Sequence, residues 1–367
     1  MASRQRKKLR DGFTTGTAAA AAAKAALTHI LGTQAPQRVA VELLTGDSLQ
    51  IAVHQCRRID AHTARCSVIK DAGDDPDITH GAEIGARVKW QASATEHKVE
   101  IVGGRGVGRV TKPGLEVQPG RPAINCGPRK MIRREVMRVM AGHSCRGRAT
   151  VEIFVPRGVE LARHTLNQRL GIVGGISILG TTGVVRPLSH EAYVATIEAG
   201  LSVARASGLE RVVLTTGRRS ERLAQERWPQ LPSEGYVQIG DYFACSMEIA
   251  AGLAFKRVVL AVFFGKAVKM AQGIPHTHAR SSRLALDVLA GWALQVTGDA
   301  KLARSVSQAN TARQAFGLIK DDHAALIAKV GREIVTAAIG FGKQQVEVRA
   351  VIFDFDGQVS FDSINSA

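Results

Sequence analysis

Three segments of the 367-residue sequence carry Thr-Thr-Gly: Thr14-Thr15-Gly16, Thr181-Thr182-Gly183 and Thr215-Thr216-Gly217. Threonine hydroxyls and glycine-exposed amides suit the oxygens of a carboxylate or phosphate. The first copy runs on through Thr17 into alanines, so it stands where a helix N-terminus would favour an anion. Ordinary turns use the same residues, and the tripeptides alone favour turns. The second copy has more context, because it closes the run Leu170-Gly-Ile-Val-Gly-Gly-Ile-Ser-Ile-Leu-Gly-Thr-Thr-Gly183. There Gly174, Gly175 and Gly180 lie among uncharged residues, which lets backbone approach a flat or bulky ligand. The run is neither a dinucleotide fingerprint nor a P-loop, and a structural bend would use the same glycines.

Carboxylates gather at Asp71, Asp74, Asp75 and Asp77. The spacing fails the EF-hand pattern, so calcium is not expected. One of these groups could act as a general base or face a cationic cofactor; a solvated turn around Pro76 is the alternative. Two apolar runs, 211–216 and 258–264, each end on glycine followed by a cation. Ligands bind at the carboxyl ends of parallel strands, so Arg218, Arg219, Lys266 and Lys269 are placed to clamp ligand carboxylates. The segment Ile274-Pro-His-Thr-His278 holds two imidazoles suited to hydrogen bonding, too few for a metal site. The five cysteines form no Cys-x-x-Cys pair and read as reduced thiols. Val351-Ile-Phe-Asp-Phe-Asp-Gly357 mimics a phosphatase signature, but only ten residues follow it, and it reads as a terminal hairpin.

Charge narrows the partners. The net charge is +17, and eleven Lys/Arg against Glu116 and Glu135 give a local net of +9 between residues 103 and 148. The first ten residues add five basic groups. Such a field concentrates anions, whether nucleic acid or a polycarboxylate. With aromatics at 5% and no base-stacking pattern, nucleic acid is disfavoured. No apolar stretch of about 18 residues and no export signal occurs, so the sequence reads as a soluble, cytoplasmic protein without a membrane span.

These groups need elements to hold them. A helix is expected over 18–31, capped by Thr15 or Thr17, and short strands over 38–44, 49–53, 67–70, 86–91 and 98–102. A helix over 130–140 closes an α+β domain spanning 1–150 and basic toward its end. From 151 the pattern alternates: strands at 151–155, 211–216, 257–264 and 345–353, with helices at 191–206, 245–255, 280–296, 301–318 and 323–339. Strands apolar on both faces predict an α/β domain over 151–367 with a mainly parallel sheet and a Gly-rich ligand loop.

In this order the segments resemble the CbiD family, cobalt-precorrin-5B C(1)-methyltransferases of the oxygen-independent cobalamin pathway. The matching blocks are Leu9-Arg-Asp-Gly-Phe-Thr-Thr-Gly-Thr17, Lys70-Asp-Ala-Gly-Asp-Asp-Pro-Asp77, Ala123-Ile-Asn-Cys-Gly-Pro-Arg129, the run from Thr165 to Gly183, Gly265-Lys266, Gly273 and Thr277-His278. Three positions depart from the family pattern: Ala18 where a cysteine is frequent, Arg218 after Gly217 where Asn is often seen, and Phe263 where a His is frequent.

The resemblance implies methyl transfer from S-adenosyl-L-methionine to carbon 1 of cobalt-precorrin-5B, giving cobalt-precorrin-6A, with cobalt present only as part of the substrate. An apolar macrocycle rimmed by carboxylates suits both the Gly-rich run and the positive charge. The expected catalytic carboxylates are Asp71, Asp74 and Asp75. The expected cofactor contacts are Thr14, Thr15, Gly16, Thr17, Gly174, Gly175, Gly180, Thr181, Thr182 and Gly183. The expected substrate contacts are Arg129, Arg218, Lys266, Lys269 and His278. Another tetrapyrrole-modifying enzyme on the same fold, or a basic nucleic-acid-binding protein, are the competing readings. Oligomeric state is not legible.

Overall fold

A computed structural model describes residues 9–278 and 282–366, so the basic extreme N-terminus lies outside the described residues. The chain divides into two compact units, Met1–Ser189 and His190–Ala367. The division falls after Ser189 rather than near 150. The strand expected to open the second domain, Gly147–Phe154, pairs instead with Glu83–Ala92 and Lys98–Gly103 inside the first unit.

The first unit is built around the alanine helix, Thr15–Leu31. Its N-cap is Thr14, whose side chain accepts the amide of Thr17 at 3.2 Å, one residue ahead of the expected cap. Ala18 through Ala23, Ala25 and Ala26 are all fully buried. Methyl side chains let neighbouring backbones approach on every side, so the helix is buried all round without a bulky apolar stripe. A second helix, Cys126–Gly142, packs along it, and a five-stranded sheet covers it. The sheet order is Gln55–Asp60, Thr63–Ile69, Glu83–Ala92, Gly147–Phe154, Lys98–Gly103, antiparallel except for the last pair. Alternation sends Ala64, Cys66, Val68, Ala86, Val88, Val151 and Ile153 to the core and Arg57, Arg65 and Arg87 to solvent.

Two details correct the sequence reading. Cys56 and Cys66 are directly opposed on adjacent strands, with Cα atoms 4.0 Å apart, and are joined in a disulfide. The register of the hairpin made them neighbours, which spacing along the chain did not disclose. Much of the basic segment is also used internally. Arg134 and Arg138 pair with Glu42, Arg148 with Glu100 at 2.6 Å, and Arg109 donates to the carbonyl of Gly120 at 2.5 Å.

The second unit holds a sheet ordered Tyr236–Gln238, Arg211–Thr215, Arg257–Phe263, Glu347–Phe353, Val359–Asp362. The first three pairings are parallel and the last is antiparallel. Val258 to Val262 are buried throughout, as a strand covered on both faces requires. The last pair is the expected hairpin, with Asp354 accepting the amides of Asp356 and Gln358 and Gly357 at φ +98°. The helix expected over 301–318 is two helices, Ala300–Ser307 and Ala312–Ile319. Thr311 interrupts it by capping the second through the amide of Gln314 at 3.1 Å. Arg218–Arg227 and Phe264–Ala271 are helices that apolar periodicity did not reveal. The helix expected to begin at Arg280 is described from Ser282. Among the described residues no helix is long and apolar enough to cross a membrane.

Candidate active site

Three of the segments singled out in the sequence converge in the first unit. The strand Gly12–Phe13 pairs with Val184–Val185, and the amide of Phe13 donates to the carbonyl of Asp71 at 2.8 Å. The threonine hydroxyls of the first motif face inward. Thr15 exchanges hydrogen bonds with Leu179, accepting its amide at 2.9 Å, while Thr17 donates to the carbonyl of Gly183 at 2.7 Å. The amide of Gly16 donates to the carbonyl of Leu179 at 3.1 Å. Thr14, Thr15, Gly16 and Thr17 therefore lace the helix start to the Gly-rich run, and their polar groups are occupied.

The glycines of that run divide in the same way. A Cβ on Gly175 would come within 2.1 Å of the Gly106 carbonyl, and one on Gly180, at φ +141°, within 2.6 Å of Thr14. These positions need glycine for packing. Gly174 and Thr181 are different: both are exposed, and the Thr181 hydroxyl has no partner among the described residues. Thr182 closes its own turn onto Val184, and Gly183 packs on Leu43 and Thr17.

The acidic loop is committed to structure as well. Asp71 pairs with Arg10 at 2.5 Å, Asp74 accepts the amide of Arg10 at 2.7 Å, and Asp75 accepts the amide of Leu188 at 3.0 Å. The Arg10 hydrogen bond holds the Asp71 carboxyl at a pKa of about 2, against the cost of its burial. A carboxylate so weakly basic is unsuited to taking a proton near neutrality. In this arrangement Asp71 and Asp74 tie down Arg10, and the loop clamps the N-terminal strand. Arg129 is likewise a strut, its Nε donating to the carbonyl of Ile124 at 2.7 Å and its other nitrogens to those of Ile101 and Pro122. Burial pushes its pKa down.

In the second unit the carboxyl ends of the parallel strands carry a polar cluster. Lys266 pairs with Asp241 at 3.0 Å and donates to the carbonyl of Gly240 at 2.8 Å. The Thr277 hydroxyl meets the same carboxylate at 3.0 Å. Burial opposes ionisation of Asp241, yet Lys266 and Thr277 hold its pKa below the ordinary value. Lys269 is buried and donates to the carbonyls of Thr277 and His278 at 3.1 and 3.2 Å; burial lowers its pKa. Arg218 is exposed at the start of its helix with no carboxylate within 4.0 Å among the described residues, whereas Arg219 lies over Phe263 and donates to Phe355.

An aromatic wall adjoins these cations. Tyr193 stacks on Tyr242 at 5.0 Å, and Tyr242 meets His276 edge-on at 4.8 Å. The Tyr242 hydroxyl shares a 2.6 Å hydrogen bond with Nδ1 of His190. His276 keeps a buried Nε2 with no partner among the described residues, and His278 is exposed beside it. A cavity of about 850 Å³ opens on the helix Phe264–Ala271, lined in part by Gly265, Lys269, Asp287, Ser307 and Asn310. That is within the roughly 300–1,000 Å³ of small-molecule sites.

The CbiD family model matches residues 2–187, and the model of the CbiD C-terminal domain matches residues 276–363. A cobalt-precorrin-5B C(1)-methyltransferase of Nitratidesulfovibrio vulgaris is 45% identical, covering 96% of this chain and 92% of the relative. The chain belongs to the CbiD family. A relative of the same name from Geobacillus kaustophilus is 43% identical over 86% of this chain and 84% of its own. A solved structure, described as cobalamin biosynthesis protein (cbiD) from Archaeoglobus fulgidus, shares 29% identity over 70% of this chain and 78% of that chain, with a TM-score of 0.39.

The first CbiD model ends two residues before the first unit does. Within this CbiD chain, Lys269 donates to the carbonyl of His278, Lys266 and Thr277 share Asp241, and Arg218 stands at a neighbouring strand end. Sequence reasoning missed Asp241, His190, Tyr193 and Tyr242. A signal was present: the chain has three tyrosines, and two of them stand here. Ala18 is fully buried.

Proposed function

We propose that this protein transfers the methyl group of S-adenosyl-L-methionine to carbon 1 of cobalt-precorrin-5B, giving cobalt-precorrin-6A, a step of cobalamin biosynthesis. The similarity to relatives of that name over nearly the whole chain carries the reading. The chemistry of the second unit supports it. Arg218 offers positive charge to the carboxylate rim of the substrate, Lys266 offers donors from within its pair with Asp241, and Tyr193, Tyr242 and His276 offer a flat apolar wall to its ring.

The donor supplies an electrophilic methyl on a sulfonium; as the macrocycle carbon takes it the carbon–sulfur bond breaks and the sulfur leaves as a neutral thioether, so no covalent nucleophile is asked of the protein. Asp287, Ser307 and Asn310 give the 850 Å³ cavity the polar groups that a nucleoside's hydroxyls and amine need. In the first unit, exposed Gly174 and Thr181 remain available to ligand, with Thr14, Thr15 and Thr17 holding them in place. His190, hydrogen-bonded to Tyr242, is placed to accept a proton released after methylation. What the residues contribute is alignment, charge neutralisation and exclusion of water.

Incubating the protein with cobalt-precorrin-5B and methyl-labelled donor tests the reading. Label at carbon 1 of the product is the expected result; label elsewhere, or none, overturns it.

A further inference from the structure

The outer face of the five-stranded sheet carries a charge pattern that the fold does not need. Arg57 stands directly opposite Arg65, Arg65 directly opposite Arg87, and Arg87 directly opposite Glu152. Opposed residues of an antiparallel ladder hold their Cβ atoms about 4.5–5.5 Å apart, where like charges destabilise the sheet. Arg105, from the loop after the strand Lys98–Gly103, adds another guanidinium. Arg65, Arg87, Arg105, Glu152, Phe154 and Pro156 line a cavity of about 230 Å³.

Several arginines elsewhere in this unit are answered by carboxylates, Arg10 by Asp71, Arg134 and Arg138 by Glu42 and Arg148 by Glu100, and others by backbone carbonyls, as Arg109 and Arg129 are. Among the described residues, no carboxylate lies within 4.0 Å of the guanidinium nitrogens of Arg65, Arg87 or Arg105. The cavity floor is built rather than incidental. The guanidinium of Arg65 lies 4.0 Å over the Phe154 ring, which sets its plane and leaves its N–H edges to meet an oxyanion. Phe154 in turn is seated across Gly85, where a Cβ would come within 2.0 Å of the ring.

We propose that this sheet face is a binding site for a polyanion with closely spaced oxyanion charges, a pyrophosphate-like anion or paired carboxylate arms. Three guanidiniums against one carboxylate leave the cavity two positive charges in excess. Its volume is below the roughly 300–1,000 Å³ that hold a whole drug-sized ligand, so it takes a small anion or the arms of a larger one. Bound oxyanions would relieve the repulsion along the Arg57–Arg65–Arg87 row. The proposal does not depend on the methyl-transfer reading.

Titration calorimetry of the full chain with inorganic pyrophosphate at low salt tests it. Three proteins are compared: the wild type, an Arg65→Gln/Arg87→Gln double variant, and Arg332→Gln, an exposed arginine of the other unit, as control. The wild type and the control should bind alike. The double variant should bind at least tenfold more weakly, with an anion-free thermal midpoint that holds or rises. Arg105→Gln, which leaves the ladder intact, should weaken binding in the same direction and guards against misfolding of the double variant. Cobyrinic acid, a corrin polycarboxylate, then competes with pyrophosphate. Displacement assigns the site to carboxylate arms of a tetrapyrrole, and persistence assigns it to a free small anion. No binding by the wild type, equal binding by all variants, or an equal loss in Arg332→Gln overturns the proposal.

Discussion

Single residues separate binding from scaffolding in this protein. Arg218 starts a helix at a strand end, exposed and without an ion partner among the described residues, while Lys266 is already held by Asp241. Arg218→Ala should therefore raise KM for the tetrapyrrole about tenfold, roughly the worth of one charge-assisted contact, and leave KM for the donor near its starting value. Steady-state kinetics with each substrate varied in turn would show it; equal rises in both KM values would remove Arg218 from the substrate site. Asp71 makes the opposite case. Arg10 holds its carboxyl at about 2 in the folded protein, against about 3.9 in an unfolded chain. Its contribution is thus complete above about pH 4 and disappears as pH falls through about 2. Because Arg10 is 59% exposed, solvent keeps that contribution small. Acid titration of stability should be shallower between pH 4 and pH 2 for Asp71→Asn, with turnover at neutral pH close to wild type. A large loss of turnover with unchanged folding would restore Asp71 to catalysis.

Among the elements, the pairing of the two helices Thr15–Leu31 and Cys126–Gly142 is the most exposed to single changes. Glu135 is fully buried where they meet; it accepts from Lys24 at 2.7 Å and from the amide of Glu42 at 3.1 Å. Arg138 approaches the same carboxylate at 3.3 Å. Glu135→Ala would leave Lys24 with only the Ala40 carbonyl, at 2.6 Å, and the Glu42 amide without its acceptor, and should cost about 1–3 kcal/mol, read from denaturant unfolding. Replacing both partners, as Lys24→Met with Glu135→Leu, should recover most of that loss, since no unpaired charge is left behind. If the double variant is no better than the single one, hydrogen bonding to Glu42 outweighs the ion pair. The Gly-rich run belongs to this scale too. Its glycines pack against Gly106 and Thr14, so it is a backbone joint that presents Gly174 and Thr181.

For the whole molecule the governing quantity is the net charge of +17. The ion pairs inside the fold leave that excess intact, because their carboxylates are already counted in it, and the excess sets up a field that favours a carboxylate-rich substrate. Raising salt from about 50 to about 500 mM shortens the screening length from roughly 14 to 4 Å. The kcat/KM for the tetrapyrrole should fall several-fold over that range while kcat at saturation holds. A salt-independent kcat/KM would mean that short-range contacts alone recruit the substrate.

Local chemistry made much of this protein legible from its sequence. The alanine run had to be a helix, the apolar runs at 211–216 and 257–264 had to be covered strands, and the ordered motifs carried the family. The cations after the second of those strands do gather at its carboxyl end. Tertiary structure decided which groups face each other, because hydrophobic period marks burial and not partnership. Arg10 meets Asp71 across 61 residues, a pairing that clamps the N-terminal strand. The threonines of the first motif meet the Gly-rich run across more than 160 residues, which spends hydroxyls that looked free for a ligand. Strand register alone joined Cys56 to Cys66 and set Arg57, Arg65 and Arg87 in a row. Each depends on a pairing between strands, and a one-residue slip would have sent those side chains to the opposite face of the sheet.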